Sequence, residues 1–211
     1  MADPIPLVDL KAQFRSLEPA IGAALADVLA RGDFILGRDV ALFEEAFAAF
    51  VGARHAVGCA NGTDALHLAM LALGIGPGDE VIVPAMTFVA SALGVTLAGA
   101  RPVLVDVDPD TALIDPARIE AAVTPRTRAI VAVHLYGQMA DMAAIGAVAA
   151  RHGLAVVEDA AQAHGATRDG LSAGAVGAVG CFSFYPGKNL GAYGDAGGLT
   201  TNDPALAERL R

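Results

Sequence analysis

Lysine is scarce in this sequence, which gives one of its lysines unusual weight. Lys+Arg total 14, yet only Lys11 and Lys188 are lysines. Lys188 sits in Ser183-Phe184-Tyr185-Pro186-Gly187-Lys188-Asn189-Leu190-Gly191, directly after a small and apolar run, 177–184, that reads as a buried strand. Glycines crowd the segment (Gly187, Gly191, Gly194, Gly197, Gly198), so the backbone there can turn tightly and approach a ligand. Ser183 supplies a hydroxyl five residues upstream. An amine at a strand end in such a loop suits imine formation with an aldehyde, because desolvation lowers a lysine pKa and makes it a usable nucleophile. Taken alone, the loop favours a solvated surface lysine. Other clusters reverse that balance.

Asn61-Gly62-Thr63-Asp64 follows the predicted strand His55–Cys59 and opens a helix. Free amides at a helix start, with the Thr63 hydroxyl, make a phosphate cradle. An ordinary N-cap at Thr63 or Asp64 explains the same residues and is the commoner case. Glu158-Asp159-Ala160-Ala161-Gln162 closes another predicted strand. An acid at a buried strand end can serve as counter-ion to a heterocyclic cation. A pyridoxal phosphate site needs such an acid, because a protonated pyridine nitrogen makes the ring an electron sink. Gln162 could then reach the ring's phenolic oxygen. The alternatives are a solvent-facing acidic terminus or a metal carboxylate, although His164, the only nearby nitrogen ligand, lacks a spaced partner. His134-Leu135-Tyr136-Gly137 also ends a strand, where packing or hydrogen bonding is the expected role. Asp106-Val107-Asp108-Pro109-Asp110 lacks the glycine and distal glutamate of a calcium loop and reads as a solvated turn. Gly74-Ile75-Gly76-Pro77-Gly78 follows a helix instead of a strand, which excludes a dinucleotide fingerprint.

These residues must be positioned by a scaffold, and its pattern is legible. Helices are predicted over 14–31, where Phe14, Leu17, Ile21, Leu25 and Val28 form a stripe, and over 40–50, with Glu44 and Glu45 facing outward. Both precede any strand, so 1–52 reads as an N-terminal helical segment outside the main sheet. Strands and helices then alternate: strands at 55–59, 80–83, 102–105, 128–133, 154–157, 176–184 and 197–201, helices at 64–73, 88–97, 117–123, 142–151 and 204–211. Alternation of this kind implies an α/β fold with a mostly parallel sheet covered on both faces, assigned to 53–211. Ligands of open α/β sheets bind beyond the carboxyl ends of strands, where four of the polar clusters fall. The last helix-like segment has no capping signal after Arg211, so the sequence reads as cut short of its natural end.

Composition narrows the field. A net charge of −9 argues against a nucleic-acid surface, which needs clustered positive charge. Mean hydropathy is high at +0.51, but the apolar runs are too short to span a membrane. No secretory signal is visible after Met1, and Cys59 and Cys181 suggest neither disulfide framework nor zinc spacing. A cytoplasmic protein is the simplest reading.

With those residues located, the chain resembles the DegT/DnrJ/EryC1/StrS family of pyridoxal-phosphate-dependent sugar aminotransferases. The matching pieces are Gly32-Asp33-Phe34-Ile35-Leu36-Gly37, Asn61-Gly62-Thr63-Asp64-Ala65-Leu66, Pro84-Ala85-Met86-Thr87-Phe88-Val89-Ala90, His134-Leu135-Tyr136-Gly137-Gln138, Glu158-Asp159-Ala160-Ala161-Gln162-Ala163-His164-Gly165 and the Lys188 loop. Each is weak alone; together, in order, they are specific. The resemblance implies the fold-type I aminotransferase large domain, without the smaller C-terminal domain that family members carry. It implies Lys188 as imine-forming lysine and proton shuttle, Asp159 on the pyridine nitrogen, Gln162 on the phenolic oxygen, Phe88 over the ring face, and Gly62, Thr63 and Ser183 on the phosphate. A dehydratase branch has histidine at the lysine position, so Lys188 argues for transamination. The implied reaction moves an amino group from an amino acid, glutamate, to a keto group of a nucleotide-linked sugar within a homodimer. A non-catalytic or regulatory relative that keeps the cofactor is the alternative, ahead of a nucleotide-binding module without it.

Overall fold

The computed structural model describes residues 5–211. Two compact units divide the chain, Met1–Phe43 and Glu44–Arg211. The first contains α1 (Leu10–Arg31), capped at its start by the Asp9 carboxylate, which accepts from the Ala12 amide at 2.9 Å. It ends at Gly32, whose φ of 70° is the left-handed conformation common one residue past a helix. The next helix, α2 (Arg38–Val51), begins in this unit and ends in the second.

The second unit is built on strands β1 (His55–Cys59), β2 (Glu80–Pro84), β3 (Arg101–Val105), β4 (Thr127–Val133) and β5 (Ala155–Asp159). A small hairpin of β6 (Thr167–Arg168) and β7 (Leu171–Ser172) follows, then β8 (Val179–Ser183) and β9 (Gly197–Thr201). The intervening helices are α3 (Gly62–Ala72), α4 (Ala90–Leu97), α5 (Pro116–Ala122), α6 (Met142–His152) and α7 (Pro204–Leu210). One sheet runs β1-β9-β8-β5-β4-β2-β3. β9 is antiparallel to both neighbours, and the remaining adjacent pairs are parallel. The carboxyl ends of β1, β2, β4, β5 and β8 therefore lie along one rim.

Strand alternation divides the core into two layers. Val81, Val83, Val131, Val157 and Leu199 join Leu66 and Met70 of α3, Val95 of α4 and Leu206 of α7 on one face. Ile82, Ile130 and Phe182 join Phe47 of α2, Ile119 of α5 and Ile145 of α6 on the other. The expected parallel-rich sheet with helices on both sides is what forms. Among the described residues no helix is long and apolar enough to cross a membrane.

Several local expectations are corrected. Glu44 does not face outward: it is buried, and its carboxylate accepts from the Gly58 amide at 2.8 Å and from Arg211 Nη2 at 2.6 Å. The strand expected from 176 starts at Val179, because the amides of Val176 and Gly177 donate to the Glu158 carboxylate instead of a neighbouring strand. α4 starts at Ala90, not 88, which leaves Phe88 in the loop after β2. The β6–β7 hairpin was not anticipated. Its turn, Asp169-Gly170, has positive φ at both positions (54° and 77°), the geometry favoured for tight hairpins.

Candidate active site

Along the rim where the five strands end lies a cavity of about 600 Å³. Gly62, Thr63, Phe88, Asp159, Gln162, Ser183 and Lys188 all line it. The structure thus brings these seven residues together on one cavity, with His134 beside them, and leaves Tyr136 and His164 off its lining.

The wall at β1 and α3 depends on close backbone approach. Cys59 and Ser183 both register against Gly197, so the ends of β1 and β8 flank the start of β9. A Cβ on Gly62 would lie 2.6 Å from Ser183 Cβ, and one on Gly197 would lie 2.3 Å from the Asn61 carbonyl oxygen. Only glycine lets the α3 N-terminus sit this close to Ser183. The α3 cap is Asn61, not Thr63 or Asp64: its Oδ1 accepts from the Asp64 amide at 2.8 Å, and its Nδ2 donates to Asp64 Oδ2 at 2.9 Å. Capping therefore leaves the Thr63 hydroxyl uncommitted and turns the Asp64 carboxylate toward Asn61. Free α3 amides and two hydroxyls, of Thr63 and Ser183, then border one corner of the cavity, a donor set suited to an anion.

Asp159 ends β5 on the cavity floor and is 6% exposed. Ser91 Oγ donates to its Oδ2 at 2.6 Å, and the Ala161 amide donates to Oδ1 at 3.2 Å. Burial pushes this carboxyl above its ordinary pKa; the Ser91 hydroxyl, the Ala161 amide and the nearby basic side chains of His134 and Lys188 oppose that only in part. A buried carboxylate facing a cavity in this state is suited to a cationic partner.

Gln162 lies in the turn after β5. Its Oε1 accepts from the Tyr136 amide at 2.7 Å, and Tyr136 holds a positive φ of 56°. That bond orients the amide and leaves Nε2 as a donor. His134, where packing or hydrogen bonding was expected, is fully buried: Nδ1 accepts from the Ala140 amide at 3.1 Å, and Nε2 lies 2.8 Å from Glu158 Oε2. Phe88 is 66% exposed at the cavity's edge. The Lys188 amide donates to the Tyr185 carbonyl at 2.8 Å, and Phe184–Ala196 and Ala192–Phe184 backbone bonds close the base of its loop. The lysine is half-buried on the cavity wall.

Sequence reasoning missed Asn61 as the α3 cap, and it missed Thr87 and Ser91. Thr87 lies in the loop after β2 and Ser91 on the first turn of α4, with their hydroxyls 2.7 Å apart.

Comparison with known proteins follows the same lines. A family model described as the DegT/DnrJ/EryC1/StrS aminotransferase family matches residues 16–211. A pleiotropic regulatory protein of Geobacillus stearothermophilus is 54% identical over 207 residues, 98% of this chain and 56% of that protein. The dTDP-3-amino-3,4,6-trideoxy-alpha-D-glucose transaminase of Streptomyces venezuelae is 54% identical over 98% of this chain and 55% of its own length. The crystal structure of S. venezuelae DesV in complex with a ketimine intermediate superposes with a TM-score of 0.97 at 54% identity, covering 100% of this chain and 57% of that one. The chain thus spans little more than half the length of these relatives.

Proposed function

The chain belongs to the DegT/DnrJ/EryC1/StrS aminotransferase family, and on that premise we propose that it binds pyridoxal phosphate and transfers an amino group from an amino acid, glutamate, to a keto group of a nucleotide-linked sugar. The observation that carries this reading is the pairing, on one cavity, of a buried, under-compensated carboxylate, Asp159, with the amine of Lys188. The cofactor's parts fit the residues present. A ring cation suits Asp159, a phosphate suits the corner formed by Gly62, Thr63 and Ser183, and a phenolic oxygen suits the Gln162 Nε2 donor. When bound, pyridoxal phosphate supplies an aldehyde that condenses reversibly with amines and a ring that takes up the electron pair left by a departing proton.

Each residue then has a task. Asp159 would pair with the ring nitrogen and favour its protonated state. The α3 amides and the two hydroxyls anchor the phosphate without a positive side chain, consistent with a chain of net charge −9. Phe88, at the cavity's edge, offers an aromatic face that would stack on a ring bound there. Lys188, on the cavity wall, would supply the amine that holds the aldehyde and, when free, a base that takes up and gives back a proton at its Nζ. The residues from 53 onward act as the cofactor-binding domain of a cytoplasmic homodimer.

The test is covalent trapping. The protein loaded with pyridoxal phosphate should turn yellow and, after borohydride, carry a reduced adduct on the peptide containing Lys188. Lys188→Ala should abolish that adduct; an undiminished yellow band in the variant would refute the assignment. A regulatory reading is kept because one 54%-identical relative bears that description. Glutamate separates the two: a transaminase converts the bound aldehyde to the amine form, and a regulator that only binds cofactor leaves it unchanged.

A further inference from the structure

Two residues assigned no role above connect to Asp159 through hydrogen bonds. Ser91, on the first turn of α4, is fully buried, and its single hydroxyl hydrogen is committed to Asp159 Oδ2 at 2.6 Å. Thr87 Oγ1 lies 2.7 Å from Ser91 Oγ. Because the Ser91 hydrogen is already given to Asp159 Oδ2, the Thr87 contact runs the other way, with Thr87 donating to Ser91. Thr87 itself lines the cavity. The chain of donors is therefore directional, from the cavity wall through α4 to the carboxylate.

We propose that Thr87 and Ser91 are positioning residues, a hydroxyl relay that favours the charged form of Asp159 and fixes its rotamer through Oδ2, so that Oδ1, held only by the Ala161 amide, is left to receive a cation. Two features support a dedicated arrangement. Ser91 stands in Ala90-Ser91-Ala92-Leu93-Gly94-Val95, an otherwise apolar helical stretch packed into the core, where a buried hydroxyl without a partner would be costly. Linked hydroxyls also polarise one another, so Thr87 strengthens the bond that Ser91 makes. The other titratable groups around Asp159 come from three directions: His134 after β4, Lys188 in the loop after β8, and the buried Cys181 thiol on β8, with Glu158 adjacent in sequence. Of the influences that favour the charged form, Ser91 is the strongest. The cation's identity as a pyridinium nitrogen rests on the function proposed above; the relay itself does not.

The experiment reads the two apart. In the unloaded protein, carbon NMR of labelled aspartate follows the Asp159 carboxyl through its titration, assigned by its loss in Asp159→Asn. Ser91→Ala should move the midpoint up by about 1–2 pH units, the range for one hydrogen bond to a buried charge. Ser91→Cys, of similar size and a weaker donor, should fall between, and Thr87→Val should give a smaller upward shift. Thr87 is only half-buried, so that variant keeps the test open should Ser91→Ala not fold. An unmoved midpoint in Thr87→Val and in whichever Ser91 variant folds overturns the relay. In the loaded protein, the pH at which pyridoxal phosphate is lost on the acid side should rise in the same order. Shifted carboxyl midpoints with unshifted cofactor retention would uphold the relay and overturn the assignment of Asp159 to the ring.

Discussion

Glu158 and Asp159 are neighbours at the end of β5, both buried, yet they are treated in opposite ways. Strand alternation sends them to opposite faces. Glu158 meets four donors: Val176 and Gly177 amides on Oε1 at 2.8 and 2.6 Å, and the Gly174 amide and His134 Nε2 on Oε2, both at 2.8 Å. Burial alone would raise its pKa, but His134 and the Gly177 and Gly174 amides more than offset it and hold the carboxyl below its ordinary value. Asp159 has two donors and remains above its ordinary value. The first acid is saturated and acts as a fastener, tying the 174–177 loop and His134 to the sheet. The second is left short of partners on the side that faces the cavity. Polar saturation separates scaffold from site here, although burial does not.

The largest effect should come from removing the fastener. Glu158→Ala leaves three amides and an imidazole without their acceptor in a fully buried place, and should destabilise the protein by about 3–5 kcal/mol. Urea unfolding measures it. A loss below about 1 kcal/mol, the worth of one ordinary hydrogen bond, would mean that the four bonds do not act together.

A smaller effect should follow from disturbing the loop that Glu158 grips. A Cβ at Gly177 would lie 2.6 Å from the Val156 carbonyl oxygen and 3.2 Å from Glu158 Cγ. Gly177→Ala should therefore cost about 1–3 kcal/mol as overpacking, and the same unfolding experiment should show it. An Ala variant as stable as the parent would show that the loop can shift without losing Glu158, which weakens the contrast with Asp159.

What was legible in the sequence follows the same division between local and distant partners. His55–Cys59 and Gly197–Thr201 were bounded correctly because turn-forming residues follow each run closely, Asn61-Gly62 after the first and Asn202-Asp203-Pro204 after the second. The site candidates could be gathered because strand ends in this topology share a rim, so position in the chain stood in for position in space. Glu44 was misjudged because helical periodicity alone turned it outward, while its partners, Gly58 and Arg211, lie on elements whose placement periodicity does not report. Ser91 was invisible for the converse reason. A serine within an apolar helical run looks like neutral filler until the fold brings Asp159, 68 residues away, against it. The β6–β7 hairpin was an avoidable omission, since Asp169-Gly170 is a strong local turn signal.

The smallest expected change in stability, and the sharpest test of the contrast, is the pH dependence of the two neutralising variants, Glu158→Gln and Asp159→Asn. A carboxyl whose folded pKa is depressed adds stability above its unfolded value, about 4.3 for Glu, and loses it as pH falls through the folded value. Glu158→Gln should thus show its full deficit at pH 7, and the deficit should shrink below about pH 4 as the parent's Glu158 is protonated. A carboxyl whose folded pKa is raised does the reverse. Ionised Asp159 costs the folded state stability at pH 7, and that cost fades as pH falls through its raised value toward the unfolded value of about 3.9. Asp159→Asn should therefore be slightly more stable than the parent at pH 7, the gain reduced by the weakened Ala161 contact, and the advantage should vanish in acid. Urea midpoints for the parent and both variants across pH 7 to 3 would show one difference curve closing from below and the other from above. Two curves closing from the same side would mean that the adjacent acids are compensated alike, and that Asp159 holds no reserve for a ligand.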